Sequence, residues 1–525
     1  MVFRNERTWQ NAVDAGRQEE FHAAYDAAVA KVRAEFGGEH PIFIDGKAVR
    51  SRSGTFTDTS PANRKLVLGR FQKGTRADAK RAVKAAKAGF PAWSSLHFME
   101  RVQIMLRAAD LMSGRKFYLA ALMTFENGKN RYEAVADVDE AIDFLRWYAE
   151  ALVANRGFQR DMGRYYPDER ATSVLKPFGV WAVVSPFNFP LAIATGMTVG
   201  ALITGNTAVL KPASDTPFIA LKLYEALREA GVPGSALQYI TGPGSTVGQD
   251  LVENEDVAGI AFTGSKAVGL GAFQRFTETH PKPMITEMGG KNPTIVTATA
   301  DLEKAVSGVV RAAFGYGGQK CSATSRVIVD RRIKRQFLAR LVEETKKIQV
   351  GDPTQRDAFL GPVINEDAVR KYRLAVQLAR KGRGKVLCGG RVLSTGSFRD
   401  GLFVEPTVVE GFPPAHRVNQ EEFFVPYLSV VDCDGLEEAL DIANGVEYGL
   451  TAGIFSEDPQ EVARFFDRIE AGVAYANRVA GSTTGAVVGV QPFGGWKAST
   501  ITNKAAGGDY YLQQFLREQS QTTYA

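Results

Sequence analysis

Residues 180–231 read "VWAVVSPFNFPLAIATGMTVGALITGNTAVLKPASDTPFIALKLYEALREAG", and the order of patterns in this stretch decides the fold. "VWAVV" is a short apolar run rich in β-branched residues, the pattern of a strand buried on both faces. "PLAIATGMTVGALITG" reads as a helix, "TAVLKP" as a second buried strand, and "TPFIALKLYEALREAG" as an amphipathic helix closed by Gly231. Downstream, "ALQYITG" reads as strand, "STVGQDLVEN" as helix and "VAGIAFTG" as strand. Strands alternating with helices predict a parallel sheet covered on both faces. A second alternating set follows: "NPTIVT", the helix through "LEKAVSGVVRAAFG", "TSRVIVD", a helix over 333–349, and "PYLSVVDC". The expectation is an α/β fold with two parallel-sheet domains in series. Such sheets bind ligands at the carboxyl ends of their strands.

Upstream, residues 9–36 read as helix and "HPIFIDGKAV" as a hairpin turning at Asp45-Gly46. A long helix is expected from Tyr132 to Ala154. Residues 152–166 and the tail after Gly508 read as extended arms that need a partner to bury them, so a homo-oligomer, a dimer or dimer-based, is expected.

The 525 residues are 45% apolar and 23% charged, a soluble globular profile too long for one core. Net charge is +6, but Lys and Arg are interleaved with Asp and Glu, which argues against nucleic acid as a partner. The longest apolar stretch, near 187–210, is broken by Pro190, Asn206 and threonines, so it reads as buried core and not as a membrane span. Three cysteines make no disulfide framework. With no apolar leader at the start, a reducing, cytoplasmic location is expected. The five histidines form no ligand cluster, so no metal is expected.

"FGYGGQKCSATSR", residues 314–326, places Cys321 behind glycines and ahead of small hydroxyl residues. Thiol chemistry needs a thiolate, a base and donors for an oxyanion. Glu287 in "ITEMGGKNP" ends a strand beside two glycines and is the candidate base. Asn188 in "SPFNFP" stands at another strand end and is the candidate oxyanion donor. Lys211 in "VLKP" is placed to reach the ribose or phosphates of a nucleotide. Gly264 and Ser265 in "FTGSKAVG" make a strand, turn and helix start suited to a pyrophosphate. Each has an ordinary alternative: a core cysteine, a surface carboxylate, a turn asparagine. It is the set, in order and at strand ends, that carries weight.

The motifs "SPFNFP", "GNTAVLKPASDTP", "FTGS", "EMGGKNP", "GQKCSA", "QEEFFVP" and "QPFGG" resemble those of the aldehyde dehydrogenase superfamily over essentially the whole chain. The resemblance implies a nucleotide-binding domain over 1–152 and 171–288, a catalytic domain over 289–499, and an oligomerisation arm over 153–170 and 500–525. It implies that Cys321 adds to an aldehyde carbonyl. Asn188 and the Cys321 N–H hold the oxyanion, a hydride passes to the nicotinamide, and Glu287 activates water against the resulting thioester. Lys211, Gly264 and Ser265 are implied to contact NAD, with Glu422 and Phe424 positioning the nicotinamide ribose and ring.

"FGYGGQKCSA", "TGAVVGVQPFGG" and the first segment resemble the 1-pyrroline-5-carboxylate dehydrogenase branch. This implies NAD-dependent oxidation of L-glutamate γ-semialdehyde to L-glutamate, the second step of proline catabolism. The implied substrate contacts are Gly485, Ala486 and Ser322 for the α-carboxylate, Phe187 and Phe493 for the aliphatic stem, and Glu133 for the ammonium. Three positions depart from the family pattern. Ser214 stands where many members carry glutamate, which leaves room for a 2′-phosphate and makes NADP possible. Val425 and Thr500 stand where glycine is usual. The alternatives are another semialdehyde or aliphatic aldehyde, a CoA-acylating enzyme, or a non-catalytic binding protein of this fold.

Overall fold

The structure, a computed structural model, describes residues 3–382, 384–479, 487–502 and 504–524. A seven-stranded sheet runs in the spatial order Met284–Glu287, Val257–Thr263, Val180–Val184, Thr207–Lys211, Leu237–Tyr239, Ile42–Ile44, Lys47–Val49. The first five strands are parallel. The last two form the expected hairpin, with Asp45 at φ 55° and Gly46 at φ 71° in its turn, and it joins the sheet antiparallel through Phe43 and Tyr239.

Successive side chains of each strand face opposite sides, and both sides are covered. Trp181 and Val183 pack into one core with the helices Arg131–Ala154, Ala192–Ile203 and Pro217–Ala230, while Val180 and Ala182 pack into the other with Ala79, Ala82, Val83 and Ala86 of helix Arg76–Ser94. Local signals begin and end these helices. Thr75 and Asp78 form a capping box, the Asn130 side chain accepts from the N–H groups of Tyr132 and Glu133, and Gly231 closes its helix at φ 113°.

The chain lays strands to one side of Val180–Val184 and then to the other. The crevice beyond the carboxyl ends of Val180–Val184 and Val257–Thr263 is therefore the topological switch point. The segments leaving it are Ser185–Pro190 and Gly264-Ser265.

A second seven-stranded sheet has the order Lys385–Cys388, Thr407–Glu410, Tyr427–Cys433, Thr324–Asp330, Asn292–Val296, Thr451–Phe455, Val473–Ala476. All neighbours are parallel except the first pair. Val327, Val329 and Val430 face one core, and Ile295, Ile328 and Ile454 face another.

Three expectations shift. Residues 9–36 are not one helix: Thr8–Asp14 and Gln18–Arg33 are parted at Gly16, which takes φ 65°. "STVGQDLVEN" is not one regular helix: it opens with a wide turn over Gly244–Gly248 and becomes α-helical only over Gln249–Glu253. Two glycines and two β-branched residues weaken the α-helix there. The third sheet, Leu516–Tyr524, Glu169–Pro177, Gln159–Asp161, is antiparallel. Its longest ladder pairs Leu516 with Pro177 and Tyr524 with Glu169, so it runs past the expected boundary at 170. Among the described residues, no helix is long and apolar enough to cross a membrane.

Candidate active site

Cys321 sits where a helix ends against the second sheet. Helix Leu302–Phe314 is capped by the Asp301 side chain and stops at Gly315. Tyr316, Gly317 and Gly318 then take left-handed backbone at φ 49°, 63° and 65°, which turns the chain sharply into Gln319–Cys321. A Cβ on Gly318 would lie 2.6 Å from the Val425 carbonyl oxygen, so only glycine fits this turn. The Asn292 amide donates to the carbonyl oxygens of Cys321 (2.7 Å) and Ala323 (2.9 Å) and accepts from Thr451 N (3.1 Å). Thr451 Oγ1 donates to Ser322 O at 3.1 Å. The cysteine is thus fixed on both sides by neighbouring strands. Burial pushes its thiol up, reinforced by the Glu287 and Glu422 carboxylates, while the backbone N–H groups of Ser322 and Cys321 act the other way.

Glu287 is the last residue of the edge strand of the first sheet, in register with Thr263. Gly264 N donates to its carbonyl oxygen at 3.1 Å, which couples the base to the turn at Gly264-Ser265. On its other side lies Ser499–Ile501: Met288 N donates to Ser499 O (2.8 Å), and Ile501 N to Thr286 Oγ1 (2.8 Å). Thr500 uses its hydroxyl here, donating to Thr286 O at 2.7 Å, so this departure from glycine tightens the contact. Glu287 Oε2 is buried with no hydrogen-bond partner among the described residues, and burial raises this carboxyl well above the usual range. A buried, unpaired carboxyl is poised to take a proton rather than to hold an ion pair.

The two glycines after Met288 are required by neighbours. A Cβ on Gly289 would collide with the Glu422 carboxylate, and one on Gly290 would meet the Cys321 carbonyl oxygen at 2.6 Å.

Cys321, Ser322, Glu287 and Phe493 line one cavity, whose other walls are largely apolar: Phe189, Met197, Phe262 and Ile285. Asn188, 2% exposed, is not among the lining residues; it lies on the segment leaving Val180–Val184, next in sequence to Phe189, which is. Two carboxylates need separating. Glu133 is held by Lys320 at 2.7 Å and does not line the cavity, whereas Glu140 does. Seven residues apart, they lie on the same face of helix Arg131–Ala154, two turns from each other. Nothing in the residue types distinguished them. Tyr511 is a further lining residue that the sequence did not single out. Phe187 packs edge-to-face on Phe424 with ring centroids 5.8 Å apart and is not among the cavity's lining residues, whose aromatics include Phe144, Phe189, Phe262 and Phe493. Gly485 and Ala486 lie outside the described residues.

A second group of residues suits a dinucleotide. Lys211 ends its strand with the ammonium buried, bonded to Pro212 O at 3.1 Å. Burial alone pushes it down to about 8, with no carboxylate offsetting, as expected of a cation that waits for a hydroxyl or phosphate. The wide turn passes the Lys211 side chain at Gly248, where a Cβ would be in ordinary van der Waals contact with it at 3.7 Å. Ser265 precedes helix Lys266–Phe276 without a side-chain cap, leaving first-turn N–H groups to a ligand. Ser214 is exposed in the turn after Lys211 and carries no charge to oppose a 2′-phosphate. Glu422 accepts from Gly290 N at 2.8 Å, and burial pushes its carboxyl up to about 7. Phe424 is held at φ 59°, strained for a non-glycine residue. Val425 is buried behind it, with its carbonyl against Gly318. These residues fit a nicotinamide dinucleotide.

Comparison with known proteins agrees with this geometry. The model of the "Aldehyde dehydrogenase family" matches residues 48–520. The chain is 39% identical over 515 residues to a 1-pyrroline-5-carboxylate dehydrogenase of Geobacillus sp. (strain WCH70), covering 97% of each chain. The crystal structure of 1-pyrroline-5-carboxylate dehydrogenase from Thermus with bound NAD superposes with a TM-score of 0.94 at 37% identity, over 100% of this chain and 99% of that one. Betaine aldehyde dehydrogenase from Staphylococcus aureus, in complex with NAD+, follows with a TM-score of 0.89 at 29% identity over 95% of this chain and 97% of that one. A cysteine and a carboxylate facing one cavity, a dinucleotide cleft at the switch point, and a family match over nearly all of the sequence lead to one conclusion: the chain belongs to the aldehyde dehydrogenase family.

Proposed function

We propose that this protein oxidises L-glutamate γ-semialdehyde, the open form of 1-pyrroline-5-carboxylate, to L-glutamate with NAD. The observation that carries the reading is that Cys321, Glu287 and Glu140 share one apolar cavity. The Cys321 thiol gives its proton to solvent, and the thiolate adds to the aldehyde carbon. The Asn188 amide and the Cys321 N–H receive the oxyanion. NAD, held by Lys211, Gly264, Ser265, Glu422 and Phe424, supplies the two-electron acceptor. The acyl group left on Cys321 is a thioester. Glu287 takes a proton from water as that water attacks the thioester, releasing the carboxylate product and the thiol.

Ser322 and Glu140, both lining the cavity, meet the amino acid head group. Glu140 takes the ammonium in place of Glu133, whose charge Lys320 already neutralises. Phe493 packs along the aliphatic stem. The uncharged Ser214 leaves NADP use open. The reading includes a homo-oligomer, supported by the exposed outer strand Leu516–Tyr524 and by Tyr165 at 84% exposure. Incubation with NAD and the semialdehyde is expected to generate reduced-cofactor absorbance and L-glutamate. Absence of both, with this and with a panel of other aldehydes, would refute the reading.

A further inference from the structure

Two walls of the cavity come from distant parts of the chain. Helix Arg131–Ala154 contributes Glu140 and Phe144, and the return segment contributes Phe493 and Ala506. Phe493 and Ala506 exchange backbone hydrogen bonds of 2.9 and 2.7 Å, and Gly489 N donates to Gly507 O at 2.9 Å. The return segment is therefore a connected unit, and its distance from the helix sets the width of the cavity on that side.

One side chain spans the two walls. Asn5 Nδ2 donates to Asp143 Oδ2 on the helix at 2.9 Å and to Val488 O on the return segment at 2.8 Å. The other Asp143 oxygen accepts from Glu6 N at 2.8 Å. Phe3 packs edge-to-face on Trp147 at 5.2 Å, and Gly489, at φ 73°, lies so close to both rings that a Cβ there would stand 2.9 Å from Trp147 and 3.0 Å from Phe3. The segment is secured further on: Glu6 bonds to Lys116 (2.8 Å) and Arg146 (2.5 Å), and Thr8 N donates to Asp139 (2.9 Å). These bonds hold the segment to the helix. Only Asn5 makes a hydrogen bond from it to the return segment among the described residues. A carboxamide suits the role because one nitrogen carries two N–H groups for two acceptors.

We infer that Asn5 is a positioning residue for the aldehyde pocket: its amide sets the separation between the helix bearing Glu140 and the segment bearing Phe493. This deepens, and rests on, the proposed reading of the cavity as the semialdehyde site.

The test compares wild type, Asn5→Ala and the exchange Asn5→Asp with Asp143→Asn, by steady-state kinetics, melting temperature and amide hydrogen exchange over 487–493. Asn5→Ala is expected to raise KM for the semialdehyde on the order of tenfold, the scale of one lost hydrogen bond between fixed walls. kcat and KM for NAD should stay within about twofold, since the bound aldehyde and its transition state lose the same binding. Amides of Val490 and Gln491, which donate to Val487 O, should exchange faster. The exchanged pair regains the bond between segment and helix but has no donor for Val488 O, so the raised KM and the faster exchange should persist. An unchanged KM in Asn5→Ala, or wild-type KM and exchange in the exchanged pair, would overturn the inference. If wild type turns over no aldehyde, the proposed function fails on its own account. Hydrogen exchange then judges Asn5 alone, and unchanged exchange over 487–493 in Asn5→Ala would overturn it.

Discussion

The side chain of Asn292 holds the carbonyl oxygen of Cys321 at 2.7 Å. The nucleophile's backbone is thereby fixed to the first residue of a central strand of the second sheet, which also carries the bond from Thr451 N. Asn292→Ala would leave these buried groups unpaired. A loss of about 2–4 kcal/mol in unfolding free energy is expected from two or three such groups. kcat should fall on the order of tenfold or more as the thiol drifts from its approach line. Chemical denaturation and steady-state kinetics check both. Unaltered kcat would mean that the loop holds its shape without Asn292.

Lys129 and Asp137 form a fully buried pair at 2.6 Å, with the ammonium 3.6 Å above the Phe189 ring. Asp137 also accepts from Ala192 N at 2.7 Å, at the start of the helix behind the cavity. Burial lowers the lysine and raises the aspartate, so each needs the other charge. Lys129→Met is expected to cost about 3–5 kcal/mol, with Lys129→Met/Asp137→Asn recovering much of that. A double-mutant cycle in urea measures it. Strictly additive losses would contradict the pairing.

Glu140 is pushed up to about 8, first by burial and then by the Asp137 carboxylate. An ammonium beside it favours the ionised form, so below that pH substrate binding must release a proton. KM for the semialdehyde should therefore fall as pH rises toward about 8 and level off above it. Glu140→Gln should remove this dependence and raise KM roughly 10- to 100-fold, the scale of a bond to a charged group. Aldehydes without an ammonium should be unaffected. An unchanged KM for the semialdehyde would move the ammonium contact elsewhere.

The nine-residue strand Leu516–Tyr524 is exposed after its first residue. Its free edge calls for a partner. Light scattering is expected to show a dimer or larger assembly, and a chain ending at 515 a smaller one. A monomeric full-length protein would contradict this.

Part of this site was legible because Glu287 and Lys211 end buried strands, where apolar runs stop abruptly ahead of a glycine pair or a proline. Cys321 instead follows a helix end and a glycine turn, and the cavity brings it together with Glu287. What was not legible depends on contacts remote in sequence or on facing. Glu133 and Glu140 share a helix face, and only the position of Lys320 separates them. Phe187 and Phe189 flank the same asparagine, yet one faces Phe424 and the other the cavity. The strand Glu169–Pro177 is too polar to announce itself, because its partner, Leu516–Tyr524, lies at the far end of the chain. Thr500 stands where glycine is usual, and its hydroxyl bonds Thr286 O, a contact that the residue type alone does not announce. Asn5 reaches a carbonyl 483 residues away.

The central claim is that Cys321 carries the acyl group and Glu287 directs its hydrolysis. The most direct test is the first turnover of Glu287→Gln mixed with NAD and L-glutamate γ-semialdehyde, followed by absorbance of the reduced cofactor. A burst close to one equivalent per active site, then a slow steady state, is the predicted result, with the acyl group found on Cys321 by mass spectrometry. A linear trace at the wild-type rate, with no acyl group on Cys321, would contradict the account.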